Sequence, residues 1–210
     1  MIEKYKHIIW DWNGTILNDV ELCVDLINWL LYSRELPTVD ISKYREVFTI
    51  PVKNYYEKLG FDFEKESFEK LGRIWMDEYE RRKFECNLFD GVDDLLSKIN
   101  KFGIGQSILS AYSQHTLDEL VEHYGLRNYF MHVVGLDNIY AASKLHLGKE
   151  LMNRLGNGRG ETLLIGDTVH DFEVATEIGA DCVLIANGHQ SKDVLLECGV
   201  LVCDSITELL

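Results

Sequence analysis

Several kinds of residue are scarce in this chain, and each shortage excludes something. Two prolines in 210 residues leave little room for a stiff interdomain linker. Lys and Arg total 21 against 35 Asp and Glu, a net charge of -14, so the surface is a poor match for a nucleic-acid backbone, whose counterions are displaced by clustered cations. The five cysteines, Cys23, Cys86, Cys182, Cys198 and Cys203, are odd in number and lack a C-x-x-C spacing. That pattern argues against a disulfide framework or a zinc site and fits a reducing cytoplasm. No apolar run approaches membrane-spanning length, and the opening MIEKYKHIIWDWNG has only a short apolar stretch interrupted by acid, so neither a signal peptide nor a membrane helix is expected. The glycine cluster at 156–160 precedes a strand, does not fit the dinucleotide fingerprint and reads as a turn; no Walker-type phosphate loop occurs. The reading is a cytoplasmic protein without nucleic-acid or membrane partners.

A hydrophobic fraction of 46 % and a charged fraction of 27 % are those of a folded globular chain, long enough for one domain with an insertion. The first readable element is HIIW, residues 7–10, a short apolar run stopped by DWNGT. Similar runs end at Ser110, Val134, Asp167, Ala186 and Asp204, separated by amphipathic stretches such as Val92, Leu95, Leu96 and Ile99 ahead of Gly103. This alternation predicts an α/β fold with a Rossmann-like, mostly parallel sheet. Residues 18–86 break the rhythm and read as an all-helical insertion after the first strand, between core segments 1–17 and 87–210. Its helices are marked by Val20, Cys23, Val24, Ile27 and Leu31 with Asn18 as cap, by a cap at Asp40, by Tyr55 to Leu59 ending at Gly60, and by Phe68, Leu71, Trp75, Met76 and Tyr79. Trp29, Tyr55, Tyr56 and Trp75 read as the core of this insertion, and Arg81, Arg82 and Lys83 as a solvated face.

Ligands of a parallel α/β sheet bind beyond the carboxyl ends of its strands, so the strand-end residues carry the functional reading. They are Asp11, Ser110 and Asp167, with Asp171 four residues further on and Lys144 between. Asp11, Asp167 and Asp171 make an oxygen-rich set suited to Mg2+, which lets a carboxylate approach a phosphate dianion. Lys144 supplies a second cation and Ser110 a hydroxyl donor, and backbone amides of Trp12, Asn13 and Ala111 can complete a phosphate cradle. The expected partner is a small phosphorylated metabolite.

DWNGT, Ser110 after an apolar strand, Lys144 and GDTVHD, in that order, resemble the four motifs of the haloacid dehalogenase-like hydrolases, most closely the phosphoglycolate phosphatase and β-phosphoglucomutase branch with a helical cap. The resemblance implies a phosphatase in which Asp11 is the nucleophile and is transiently phosphorylated, Ser110 and Lys144 hold phosphate, and Asp167 and Asp171 belong to the metal site with Asp11 and the Asn13 carbonyl. Lys144 matches the family spacing better than Lys149. The family's second Asp, which protonates the leaving group and then activates water, is Asn13 here. An amide cannot exchange a proton in that way. The expectation is a slow or narrowly selective enzyme that favours acyl or aryl phosphates, whose leaving groups need little protonation.

Two alternatives stand beside that reading. One is carbon–phosphorus cleavage as in phosphonoacetaldehyde hydrolases, which also lack the second Asp and use a cap lysine; Lys43, Lys53 and Lys58 are the candidates. The other is a weakly catalytic protein that binds metal and phosphate in a regulatory role. Arg45 and Lys53 are candidate cap contacts, His170 reads as a loop residue facing solvent with proton donation as the alternative, and Asn13–Gly14 is a deamidation-prone pair.

Overall fold

Strand β1, His7–Trp10, is buried along its whole length, as a central parallel strand must be. In the computed structural model, which describes residues 2–136 and 144–209, it is followed by the short strand β2 (Leu17–Asn18) and four helices, α1 (Val20–Tyr32), α2 (Ile41–Val47), α3 (Val52–Lys58) and α4 (Phe68–Arg82). The chain then alternates: β3 (Asn87–Leu88), α5 (Val92–Lys101), β4 (Gly105–Ser113), α6 (Gln114–His123), β5 (His132–Leu136), α7 (Leu145–Leu155), β6 (Thr162–Gly166), α8 (Val169–Ile178), β7 (Asp181–Ile185), α9 (Lys192–Leu196) and β8 (Leu201–Cys203).

The six-stranded sheet has the order β5-β4-β1-β6-β7-β8, with parallel pairing throughout. Strands β4 and β5 are laid down on one side of β1 and β6 returns to the other, so the strand order reverses beside β1 and the carboxyl ends of β4, β1 and β6 frame a crevice there. Alternation along β1 sends Ile8 and Trp10 into the larger hydrophobic core and Ile9 into a smaller one with Leu109, Leu164, Leu151 of α7 and Val174 of α8. Both faces are therefore covered, and each buried side chain of this size contributes about 1.5–3 kcal/mol.

The helical segment leaves and re-enters the core through a two-stranded antiparallel ribbon, in which Leu17 pairs with Leu88 and Asn18 with Asn87. Asp40 caps α2 by accepting from the Lys43 amide, as expected. The start of α1 differs: Asn18 lies in the ribbon, and the residue at the cap position is Asp19, whose carboxylate makes no capping bond because it is engaged elsewhere. β4 also runs past Ser110 to Ser113, with a register shift after Leu109. Lys83 corrects the solvated-face reading of Arg81 to Lys83. It is 7 % exposed and bonds Glu80 at 2.9 Å and Glu119 of α6 at 2.5 Å, which ties the end of α4 to the core. No helix among the described residues is long and apolar enough to cross a membrane, and the five cysteines are free.

Candidate active site

Asp11 follows β1, Asp167 follows β6, Ser110 lies in β4, Lys144 caps α7 and Asp171 sits in the first turn of α8. The crevice brings them together. Carboxylate oxygens of Asp11, Asp167 and Asp171 lie within 4.8 Å of one another, and all three side chains are buried. Lys144, 2 % exposed, places its ammonium between Asp11 and Asp171: it bonds Asp11 Oδ1, Asp171 Oδ1 at 2.5 Å and the Leu109 carbonyl at 3.1 Å. These acceptors use all its N–H donors.

The remaining oxygens are held as firmly. Asp171 Oδ2 accepts from the Thr168 hydroxyl at 2.7 Å and from the amides of Thr168 and Asp167 at 3.0 and 3.2 Å. The helix cap is thus Thr168, with Asp171 in a reciprocal box. Asp167 accepts from the Thr15 hydroxyl at 3.0 Å and the His189 amide at 2.6 Å. Gly14 (φ 74°) and Gly188 flank it so closely that a Cβ on either would overlap Asp167 Oδ2. Ser110 Oγ accepts from the Tyr112 amide at 3.1 Å, which leaves its own proton to donate.

Three carboxylates against one ammonium leave the interior short of positive charge. Burial pushes Asp11 up, Lys144 beside it pulls down, and Asp171 and Asp167 push up again, with a result of about 8. Burial likewise raises Asp167, to about 6, against the pull of His189. Asp171 ends below its ordinary range because Lys144 and Thr168 outweigh its burial. A further cation would relieve this deficit, and an all-oxygen donor set of this size fits a magnesium ion.

A second buried cluster lies beside the first, and sequence reasoning missed it. Asn13 donates from Nδ2 to Asp19 Oδ2 at 2.9 Å and to the Tyr79 hydroxyl at 2.8 Å; Tyr79 in turn donates to Asp19 at 2.7 Å. Asp19 also accepts from the Gly14 amide at 3.0 Å and faces His189 Nε2 at 3.3 Å, while the Tyr44 hydroxyl lies 2.9 Å from His189 Nδ1. Burial opposes the charge of His189, but Asp19 prevails and the imidazole is raised to about 9; Asp19 is lowered, its own burial outweighed chiefly by His189. Cys23 completes a potential metal-binding trio with Asp19 and His189, though its thiol donates to Asp19 at 3.6 Å. The strand-end rule carried one strand further would reach His189, which lies in the loop after β7; nothing local marks Asp19, which sits between Asn18 and Val20 at an ordinary helix start.

The two clusters open into a cavity of about 450 Å³, lined by Asp11, Asn13, Ser110, Ala111, Lys144, Asp167 and Asp171 from the core and by side chains of α2, α3 and α4. His170 also lines it, on the first turn of α8 with its side chain 13 % exposed, so it is not a solvent-facing loop residue. Trp12 is fully buried with its indole beside Tyr124. Trp29 is 48 % exposed and so does not belong to the core of the helical segment, unlike Tyr55 and Tyr56; Trp75 is half-buried and lines the cavity. Arg45 is a latch instead of a ligand contact: its guanidinium donates to the carbonyls of Gly188 at 2.8 Å and Asn187 at 2.6 Å.

Residues 8–185 match the model of the haloacid dehalogenase-like hydrolase family. The chain belongs to that family. Its relatives in this family include a 5'-nucleotidase from Pseudomonas aeruginosa, 24 % identical over 91 % of this chain and 87 % of that protein, and a phosphoglycolate phosphatase from Synechococcus elongatus, 23 % identical over 90 % and 87 %. Among solved structures, a haloacid dehalogenase-like hydrolase from Streptococcus pneumoniae superposes with a TM-score of 0.83 at 18 % identity, covering 100 % of this chain and 98 % of its own, which speaks for the shared fold. As a hydrolase of this family, the chain presents its strand-end carboxylates in a Rossmann-like core beneath a helical segment.

Proposed function

We propose that this protein is a magnesium-dependent phosphatase that hydrolyses a small phosphorylated metabolite through an aspartyl-phosphate on Asp11. The observation that carries the reading is the convergence of buried Asp11, Asp167 and Asp171 on one cavity with Lys144 between two of them. Phosphatases among the relatives agree with it.

Asp11 attacks phosphorus and the bond to the leaving oxygen breaks; water then attacks the acyl phosphate and frees Asp11 and inorganic phosphate. Asp11, Asp167, Asp171 and the Asn13 backbone carbonyl would hold the magnesium ion, whose charge lets a carboxylate approach an anionic phosphoryl group. Lys144 fixes the orientation of Asp11 and adds positive charge where the phosphate would sit, and Ser110 donates its hydroxyl to a phosphoryl oxygen. The amides of Trp12, Asn13 and Ala111 complete the cradle. Residues 18–86 act as a cap that excludes water during attack and opens for release, over a core of residues 1–17 and 87–210. The Asn13 amide orients the leaving side without supplying a proton, so substrates with good leaving groups are favoured.

The carbon–phosphorus alternative has little support from geometry. Lys43 and Lys58 are exposed, Lys43 paired with Glu46, and Lys53 reaches only the cavity rim, where its ammonium lies 5.3 Å from the Phe63 ring centroid. The test is p-nitrophenyl phosphate hydrolysis with and without magnesium, in wild type and Asp11→Asn, together with intact-mass analysis of acid-quenched turnover. Metal-dependent activity, its loss in the variant and one phosphoryl group on the wild-type chain are expected. Turnover by Asp11→Asn at the wild-type rate refutes the mechanism, and a wild-type chain inert toward all phosphate esters leaves a binding or regulatory protein.

A further inference from the structure

We infer that the substrate is a phosphomonoester whose leaving group carries an extended aromatic body, an inference that rests on the phosphatase reading of the same site. The cavity has two unlike walls. The core contributes the charged floor around Asp11, and the helical segment contributes Tyr44, Phe48, Tyr56, Phe68, Trp75 and Met76 opposite it. A space of about 450 Å³ falls in the range of roughly 300–1,000 Å³ that encloses drug-sized ligands. A two-carbon acid phosphate would leave most of that apolar wall against water, which an aromatic ligand instead displaces.

The charges that the helical segment adds to the lining point the same way. Asp19 is buried and acidic, and Lys53, Glu69 and Arg73 are exposed, so the helical segment itself offers a second anionic group on the substrate no buried cation. The aromatic surface is also fixed beside the leaving-group position. Trp75 stacks on Tyr79 with ring centroids 5.0 Å apart and planes 19° from parallel, and the Tyr79 hydroxyl accepts from Asn13 Nδ2. Asn13 stands where the proton donor of the family stands, so the departing group leaves along the side that Tyr79 and Trp75 occupy. The chemistry is consistent with this placement. An aryl oxide departs with the electron pair of the broken phosphorus–oxygen bond, takes its proton from water and needs none from Asn13.

The experiment compares phenyl phosphate with biphenyl-4-yl phosphate, whose phenols are of similar acidity, and adds 2-phosphoglycolate. The second ring is expected to lower KM about tenfold, equivalent to ~1.4 kcal/mol, at similar kcat. Trp75→Ala is expected to erase the ratio between the two aryl esters. Equal KM values for the aryl pair, or a kcat/KM highest for 2-phosphoglycolate, overturns the inference while leaving the phosphatase reading intact. If no ester is hydrolysed the phosphatase reading fails, and calorimetric titration of the full chain with biphenyl-4-ylphosphonate against phenylphosphonate decides the remainder. Tighter binding of the larger probe supports the aromatic chamber, and equal binding refutes it.

Discussion

Asn13 donates its side-chain amide to Asp19 at 2.9 Å, and this bond explains why an amide is stable at a position where the family pattern has an acid. A carboxylate at residue 13 would face the Asp19 carboxylate at hydrogen-bond distance, and two acids so close, one buried and the other half-buried, do not readily both ionise. In Asn13→Asp the pair should share a proton, which stabilises the protonated form of the new acid near neutral pH. That is the state a general acid needs. Turnover of alkyl phosphates should rise by about 10- to 100-fold, with a smaller gain on aryl phosphates. Steady-state rates on both ester classes check this, and an unchanged or lower alkyl rate shows that the family role does not transfer to this position.

The Asn13–Gly14 dipeptide looks vulnerable as sequence, but the fold protects it. Deamidation requires the Gly14 nitrogen to attack the Asn13 side-chain carbon. That nitrogen donates to the Leu17 carbonyl at 2.9 Å and to Asp19 at 3.0 Å, while the Asn13 amide is pinned by Asp19 and Tyr79. Peptide mapping of aged samples should show intact Asn13 in folded protein and conversion after storage in denaturant; equal conversion in both would contradict the protection.

How much of this was legible beforehand follows from the range of each signal. The strands ending near Ser110 and at Asp167, the helical insertion and the set Asp11, Lys144, Asp167 and Asp171 are written in local pattern, because a buried parallel strand must be a short apolar run and its last residues open the crevice. The ribbon of Leu17–Asn18 with Asn87–Leu88 is too short to carry a period. The bonds of Asp19 to Tyr79, 60 residues away, and of His189 to Tyr44, 145 residues away, exist only once α1, α2, α4 and the loop after β7 are packed. Lys83 read as solvated for the same reason, since its partner Glu119 lies 36 residues on.

Lys144 and Lys149 make a matched test of burial. Lys144 Nζ sits between two buried carboxylates, whereas Lys149 is exposed and 3.6 Å from Glu177. Lys144→Ala removes the cation and leaves Asp11 and Asp171 facing each other, at an expected cost of about 3–5 kcal/mol in stability. Losing the charge that steadies the nucleophile should lower kcat by about 10²–10³. Lys149→Ala should leave both quantities within error, as exposed pairs of this kind contribute little. Chemical denaturation and phosphatase assays on the two variants check it, and similar behaviour of the pair would remove Lys144 from the site.

Stability of the metal-free protein should fall as pH rises, and the sign follows from three raised groups. Asp167 is pushed up to about 6 and Asp11 to about 8 in the folded chain from an ordinary 3.8, and His189 to about 9 from an ordinary 6.5. Each binds its proton more tightly when folded, so each contributes fully below its unfolded value and loses that contribution as pH climbs through its folded one. Two kinds of group act in the opposite sense. Carboxylates with lowered values, such as Glu66 at about 2, lose their contribution only as pH falls below about 4.5. His7, lowered to about 4 by burial, opposes the trend below its ordinary 6.5, where Asp11 and Asp167 together outweigh it. Between pH 5 and 9, therefore, the melting temperature without metal should decline, less steeply below about 6.5 where His7 opposes, with Asp167 and Asp11 responsible for the lower part of the range and His189 for the upper. Magnesium bound among Asp11, Asp167 and Asp171 would favour their ionised forms and flatten the lower part, raising the melting temperature more at pH 8 than at pH 5. Thermal denaturation across this range, with magnesium and with chelator, reads both slopes. An equal shift by magnesium at the two pH values would place the ion somewhere other than among these three carboxylates.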